Sequence, residues 1–304
     1  MGTRFKWFGS RKKYRSQVFL SITAAIMLTI VAFSLVVYFN ARVILQQKEY
    51  ESDSRMLYQV KYNITQMDSQ IKNLSSFLFQ NNDIRSIMYH KDRFDDIVEL
   101  TVKINRLAGS IISSNPYVDS ICIYNKYQDM TLYVGRPMFF EDPSLMRILQ
   151  SDADVPRLTI IPRTIENVDK RIDSAFTYFM YDTDKSNGMD GALIVNVKSE
   201  WFLDQIHTIH MVDENKGESV FILDERQRFL NGESSPESLR SAIRDGYLHN
   251  RQQPEGFYES RIDGRDYLVT YVHVDGLGFA LLKLQPSAEV YKHLNALKTT
   301  MIVV

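Results

Sequence analysis

Along this chain the spacing of apolar residues changes from an unbroken run to steps of three and four, and then to alternation. Residues 18–38, VFLSITAAIMLTIVAFSLVVY, carry no charge and only hydroxyls as polar groups. A run of that length predicts a helix that crosses a bilayer. The helix is expected to continue, because neither Pro nor Gly occurs between Arg42 and Gly109. Leu57, Val60, Ile64, Met67, Ile71, Leu74 and Leu78 then recur in alternating steps of three and four, a heptad seam. A helix over 42–80 rises roughly 58 Å at 1.5 Å per residue, enough to pass two stacked modules. The seam suits packing against the chain's own modules and, widened by Tyr58, Tyr62, Phe77 and Phe79, contact with a second copy as a homodimer.

Asn81, Asn82 and Asp83 break the pattern, and a second helix is predicted over 95–113. Ile97, Leu100, Ile104, Leu107 and Ile111 share one of its faces, and Asn115-Pro116 stops it. From there the period is two. Residues 119–125 and 130–134 read as a hairpin around 126–129, 145–150 as a short helix, 156–162 as an extended crossing and 174–181 as a third strand. Residues 182–190 form a turn and 191–197 a fourth strand, after which Ser199 is expected to cap a helix over 200–210. The same grammar restarts with a strand at 219–223, a turn at 224–227 and a short strand at 228–230. Ser235 is expected to cap a helix to 244 with Pro236 as its first residue, and 256–262 with 265–274 makes a hairpin about Asp263-Gly264. Residues 277–284 add its partner strand, and Ser287 is expected to cap an exit helix. Helices leading into two antiparallel sheets make an α+β fold.

Charge orients this layout. Arg4, Lys6, Arg11, Lys12, Lys13 and Arg15 precede the apolar run, and the first acidic residue is Glu49. The positive-inside rule places residue 1 in the cytoplasm and residues 39–297 outside the cell membrane, and anionic headgroups suit the basic tail. The run exceeds the core of a cleaved leader and no Ala-x-Ala follows it, so it is expected to remain as an anchor. A further apolar segment begins at Met301 after an amphipathic stretch over 289–298 and reads as the start of a second span. The expected divisions are a basic tail at 1–17, a membrane helix at 18–38, a stalk helix at 39–80, a membrane-distal module at 81–214, a membrane-proximal module at 215–286, and an exit helix with the start of a second span at 287–304. The net charge of −1 contains six positive charges in the first 15 residues, so the rest carries −7. That argues against nucleic acid as a partner of the outer region. Cys122 is the one cysteine, which excludes an intrachain disulfide.

Anchor, long helix, two sheet units and exit helix, over 40–297, resemble the double Cache sensor regions of bacterial transmembrane receptors. Three phrases, NLSSFLFQNNDIRSIMY (73–89), YVDSICIYNKY (117–127) and GALIVNVKSEWFLDQI (191–206), are similar to the sensor regions of membrane-bound AraC-type transcription regulators and of related sensor histidine kinases of Gram-positive bacteria. The resemblance implies two PAS-like modules, a small extracellular ligand or a solute-binding protein met by the outer module, a relay at 218–286, and an output after a second span. In the amino-acid-sensing branch it also implies an Arg followed closely by a Trp, and an Asp ahead of a glycine-flanked strand entry. Arg163 is the nearest match to the first, and Asp182 with Gly188 and Gly191 to the second. The Trp has no counterpart, since Trp7 and Trp201 are the only two.

Read from the residues, strand parity groups Cys122, Tyr124, Tyr133, Phe176 and Tyr178 opposite Ile121, Ile123 and Leu132. Such a face suits a small-ligand pocket or a second core layer under the following crossing. The candidate ligand-binding residues are therefore Tyr124, Tyr133, Arg163, Tyr178 and Asp182, with Arg163 for a carboxylate and Asp182 for an amine. Asp204, His207 and His210 fan around a helix rather than converge, so no metal is expected there. No Gly-x-Ser-x-Gly, phosphate loop, paired Cys or His-Glu-x-x-His occurs, and neither a cofactor nor a catalytic residue is assigned. A sensor is the expected function, against a membrane-anchored enzyme or a scaffold that uses the seam alone.

Overall fold

The computed structural model describes residues 8–91, 97–137, 140–150, 155–166, 169–182, 189–208, 217–231 and 235–292. Helix α1, Phe8–Phe79, is continuous for 72 residues. It is long and apolar enough to cross a membrane, its most apolar 18-residue window having a mean hydropathy of 2.5 with none of it buried. From Asp53 onward one stripe turns inward, and Leu57, Val60, Ile64, Ile71 and Leu78 lose all their exposed surface. Tyr58, Tyr62 and Phe77 remain exposed. The seam is the core edge of its own chain, where each Leu or Ile contributes roughly 1.5–3 kcal/mol of burial.

A helix that local spacing does not announce, α2, Asn82–Tyr89, follows at once. Asn81 is its N-cap, accepting from the Asp83 and Ile84 amides, so the Asn-Asn-Asp break starts a helix. At the far end the Asn125 side chain donates to the Ile87 and His90 carbonyls at 2.7 and 2.8 Å, which satisfies groups a helix end leaves orphaned. Helix α3, Ile97–Ser114, comes next.

The distal sheet contains β1 (Val118–Asn125), β2 (Met130–Val134), β3 (Ile161–Glu166), β4 (Ile172–Met180) and β5 (Gly191–Lys198). Its order is β2-β1-β5-β4-β3, antiparallel throughout. Helix α4 (Pro143–Gln150) lies between β2 and β3, and α5 (Ser199–Thr208) follows β5. The segment expected as an extended crossing ends in β3, which runs through Pro162 because it is an edge strand, where a missing N–H breaks no ladder.

Gly191 stands opposite Asn125, and a Cβ there would collide with the Met88 carbonyl oxygen. Helix α2 rests on bare backbone at this point. Gly191→Ala is expected to cost about 1–3 kcal/mol, seen as a lower denaturation midpoint at unchanged slope. An unchanged midpoint would show that α2 yields there freely.

The proximal sheet, ordered β6-β9-β8-β7, joins β6 (Ser219–Leu223), β7 (Glu255–Ile262), β8 (Arg265–Val274) and β9 (Phe279–Pro286). Asp263 and Gly264, at φ 48° and 79°, make the two-residue hairpin turn. Val220, Ile222, Val272 and Leu281 face α1 and join the same apolar cluster as the distal module. Phe221, Val269, Tyr271 and Leu282 face helix α6 (Glu237–Asn250). Two expected caps are corrected: Pro236 holds the N-cap position of α6 and Pro286 that of α7 (Ser287–Val290), neither with a side-chain bond. Helix α6 also passes the expected end at 244. The exit segment after Lys292, the expected second span, His210 and the side chain of His207 lie outside the described residues.

Candidate functional site

The face of the distal sheet turned away from α1 carries Cys122, Tyr124, Tyr133, Ala175, Phe179 and Ile194, covered by Phe140, Leu145 and Val155. Through this apolar layer runs a polar row with one member per strand: Ser120 on β1, Asn196 on β5, Thr177 on β4 and Arg163 on β3. Asn196 Nδ2 donates to Ser120 Oγ at 2.9 Å, and Thr177 Oγ1 to Asn196 Oδ1 at 2.9 Å. Arg163 donates from Nε to Thr177 Oγ1 at 2.6 Å and from Nη2 to Asn196 Oδ1 at 2.8 Å. Its Nη1 reaches Asp142 Oδ2 at 2.5 Å and Ser144 Oγ at 2.8 Å. The other oxygen of Asp142 accepts from the Ser144 hydroxyl and the Leu145 amide, which caps α4. The Arg163 and Asp142 side chains are 5% and 1% exposed, so this is a buried ion pair with its remaining valences filled.

Of the predicted residues, Tyr124 and Tyr133 belong to the apolar layer and Arg163 to the polar row that crosses it. The Tyr133 hydroxyl is buried and faces a thiol as its polar neighbour. Its cross-strand neighbour is Cys122, whose thiol burial pushes up to about 12, and the Phe140 ring packs edge-on to it at 5.1 Å. Tyr178 and Phe176 lie on the opposite face, against the expected grouping. Both Ile121 and Tyr178 pair with Val195, which puts Tyr178 on the side of α1, where its hydroxyl meets Asp68 Oδ1 at 3.2 Å. Register between β4 and β5 decides that face. Asp182 stands at the end of the sheet, 3.0 Å from Arg85 of α2, apart from the row. Sequence reading misses Ser120, Asp142, Thr177 and Asn196. Thr177 and Asn196 do leave a signal, as polar residues flanked by apolar and aromatic neighbours within buried stretches of their strands.

Beneath the layer a cleft of about 900 Å³ separates the distal segment Val155–Arg163 from Leu223–Arg228 and Val274–Ala280 of the proximal module. Ile148, Val155 and Ile161 line it and also belong to the apolar layer, and Arg163 of the polar row lines it as well. Its volume is that of small-molecule sites. Tyr247 Oη and His273 Nε2, 2.7 Å apart, lie on the proximal wall, and burial lowers the His273 imidazole below its ordinary value. Among the described residues no group of three His, Cys, Asp or Glu side chains is placed to hold a metal.

No family model matches this chain, and no curated protein matches its sequence. Solved structures do resemble it. The isoleucine-bound sensory domain of the Campylobacter jejuni chemoreceptor Tlp3 aligns with a TM-score of 0.51 at 11% identity, over 82% of this chain and 97% of that one. A domain assigned to a sensory box/GGDEF family protein of Vibrio parahaemolyticus aligns at 0.53 and 9% identity, over 81% and 99%. The extracellular domain of vpHK1S-Z8, described as a histidine kinase, aligns at 0.52 and 10%, over 82% and 95%. These likenesses establish the fold, a long helix with two antiparallel sheet modules in an α+β arrangement that those domains share.

Proposed function

We propose that this chain is the sensor region of a membrane receptor, with residue 1 cytoplasmic and 39–297 extracellular, and that a small ligand enters the cleft and binds the outer face of the distal sheet. The polar row through Arg163 carries the reading. A buried ion pair is seldom the most stable filling for a core, since apolar residues of like volume often serve as well or better. Here it crosses an otherwise apolar layer, beside the buried Tyr133 hydroxyl, and its Arg163 lines a cleft of ligand size. A carboxylate would take over the Arg163 donors now held by Asp142, and Tyr133 would supply a further bond. An amino acid has that chemistry, and isoleucine is what the Tlp3 domain holds. Tyr124, Tyr133 and Arg163 are the contact residues of this reading. Tyr178 and Asp182 act one step away, through Asp68 on α1 and Arg85 on α2.

Binding would bias two packings of β4 against α1, and so the position of the membrane helix. The exposed Tyr58, Tyr62 and Phe77 suit pairing of two stalk helices. The region needs neither cofactor nor catalysis for this. An AraC-type DNA-binding output rests on the three quoted phrases, while a histidine kinase output is served equally by the fold neighbours. The test is a thermal-shift screen of the chain in detergent against amino acids, organic acids and sugars. A stabilising compound whose effect disappears in Tyr133→Phe is the expected result. A screen without any hit would move the reading to a solute-binding protein as the signal.

A further inference from the structure

Below the distal module, α1 meets the proximal sheet through a second set of buried charges. Lys283 of β9 points at α1, with Nζ 2.6 Å from Asp53 Oδ1 and 3.3 Å from Glu218 Oε2. The side chains of Lys283, Asp53 and Glu218 are 5%, 2% and 8% exposed. Thr270 of β8 donates to the other Asp53 oxygen at 3.4 Å, and Gln285 Nε2 donates to Glu218 at 3.3 Å. The Gln285 amide oxygen is buried and has no donor among the described residues. The titratable groups that face Asp53 are Lys283 from β9, Glu218 from the approach to β6 and Glu49 from the preceding turn of α1, while β8 contributes the neutral Thr270. Two buried carboxylates thus share one ammonium, with a third carboxylate nearby.

Asp53 has Lys283 and Thr270 about it in a region with almost no exposed surface, and the Gln285 amide oxygen close by is an acceptor without a donor among the described residues. One proton added at Asp53 removes a buried negative charge and supplies a donor. We propose that Asp53, Lys283 and Glu218 form a proton-operated latch, in which proton uptake at mildly acid pH secures the stalk helix to the proximal sheet and proton loss loosens it.

The direction follows from linkage. Burial pushes the Asp53 carboxyl up to about 6 from an ordinary 3.8, against the pull of Lys283. The docked arrangement therefore holds its proton more tightly than one in which Asp53 meets water, and acid favours docking. The contact lies between the membrane helix and the sheet that leads to the exit helix, so a change in its strength bears on signalling whatever the distal module binds.

The whole chain in lipid nanodiscs is the object for the test, compared at about pH 7.5 and about pH 5, on either side of the Asp53 transition. Infrared difference spectra are expected to gain a buried carboxylic acid carbonyl band at the lower pH, shifted by a heavy-carbon label in aspartate carboxyls. Spin labels replacing the exposed Arg55 and Asp245, on α1 and α6, are expected to give a narrower distance distribution at the lower pH. The buried Cys122 thiol stays unlabelled. Asp53→Asn should lose the band and show the narrow distribution at both values. A wild type without the aspartate band, or an Asp53→Asn variant with an unchanged spin-label response, overturns the latch. The isotope shift needs only the wild type and decides the matter even if the variant folds poorly.

Discussion

Lys283→Met is expected to lower the unfolding free energy by about 3–5 kcal/mol at neutral pH, the loss typical of breaking a buried ion pair from one side. Met matches the lysine stem in length, so the effect is one of charge and not of a cavity. Without the ammonium, Asp53 and Glu218 face each other in a region of low dielectric, where like charges repel strongly. The pH dependence has a definite sign. A carboxyl raised by folding stabilises the protein below its unfolded value and loses that contribution as pH rises through its folded value. In the wild type the Asp53 transition lies between its ordinary 3.8 and about 6. Removing the cation moves the upper end higher, so the deficit is greatest above about pH 6 and shrinks on acidification. Denaturant titrations at several pH values read this directly. Equal stability at neutral pH would mean that water reaches the cluster. Adding Asp53→Asn and Glu218→Gln to Lys283→Met is expected to restore most of the loss, because no unpaired charge is left.

Those charges also mark where local reading of the chain ends. The α1 seam, the 119–134 and 256–274 hairpins and the alternation of most strands are legible, because their periods of 3.6 and 2 repeat within a few residues. Helix α2 is not, since it has only eight residues and its last carbonyls are met by Asn125, a residue 38 positions away from Ile87. The face of Tyr178 is not legible either. Alternation says that Phe176 and Tyr178 share a side, but pairing with Val197 and Val195 of β5 decides which side. Arg163 can be singled out as a cation within an apolar stretch. Its partner Asp142 lies 21 positions earlier, at the start of a helix whose cap explains that residue just as well. Asp53 and Lys283 are separated by 230 positions, and each reads alone as a solvated surface charge. Burial reverses that reading, because a charge inside must be paired to be tolerated. The site and the latch are both assembled from residues whose local context points elsewhere.

Arg163→Met is expected to cost about 3 kcal/mol, toward the lower end of what losing one partner of a buried pair costs. Asp142 would keep the Ser144 hydroxyl and the Leu145 amide, so it would not be wholly stranded. Thr177 and Asn196 would each lose a charged donor while keeping their bond to one another. Asp142→Asn alone removes the opposite charge and still caps α4. It leaves the guanidinium as the unpaired member and is expected to cost a similar amount. The double variant is expected to be more stable than the sum of the single losses predicts, by 1 kcal/mol or more for side chains in direct contact. That cycle also separates a packing role from a sensing one. If the polar row only fills the layer, the double variant recovers stability and keeps whatever ligand-induced thermal shift the wild type shows. If the row receives a carboxylate, the double variant recovers stability and loses the shift, because the donors that would replace Asp142 with the ligand are gone. Stability restored with binding lost is the expected result, and it assigns Arg163 to the ligand rather than to the core.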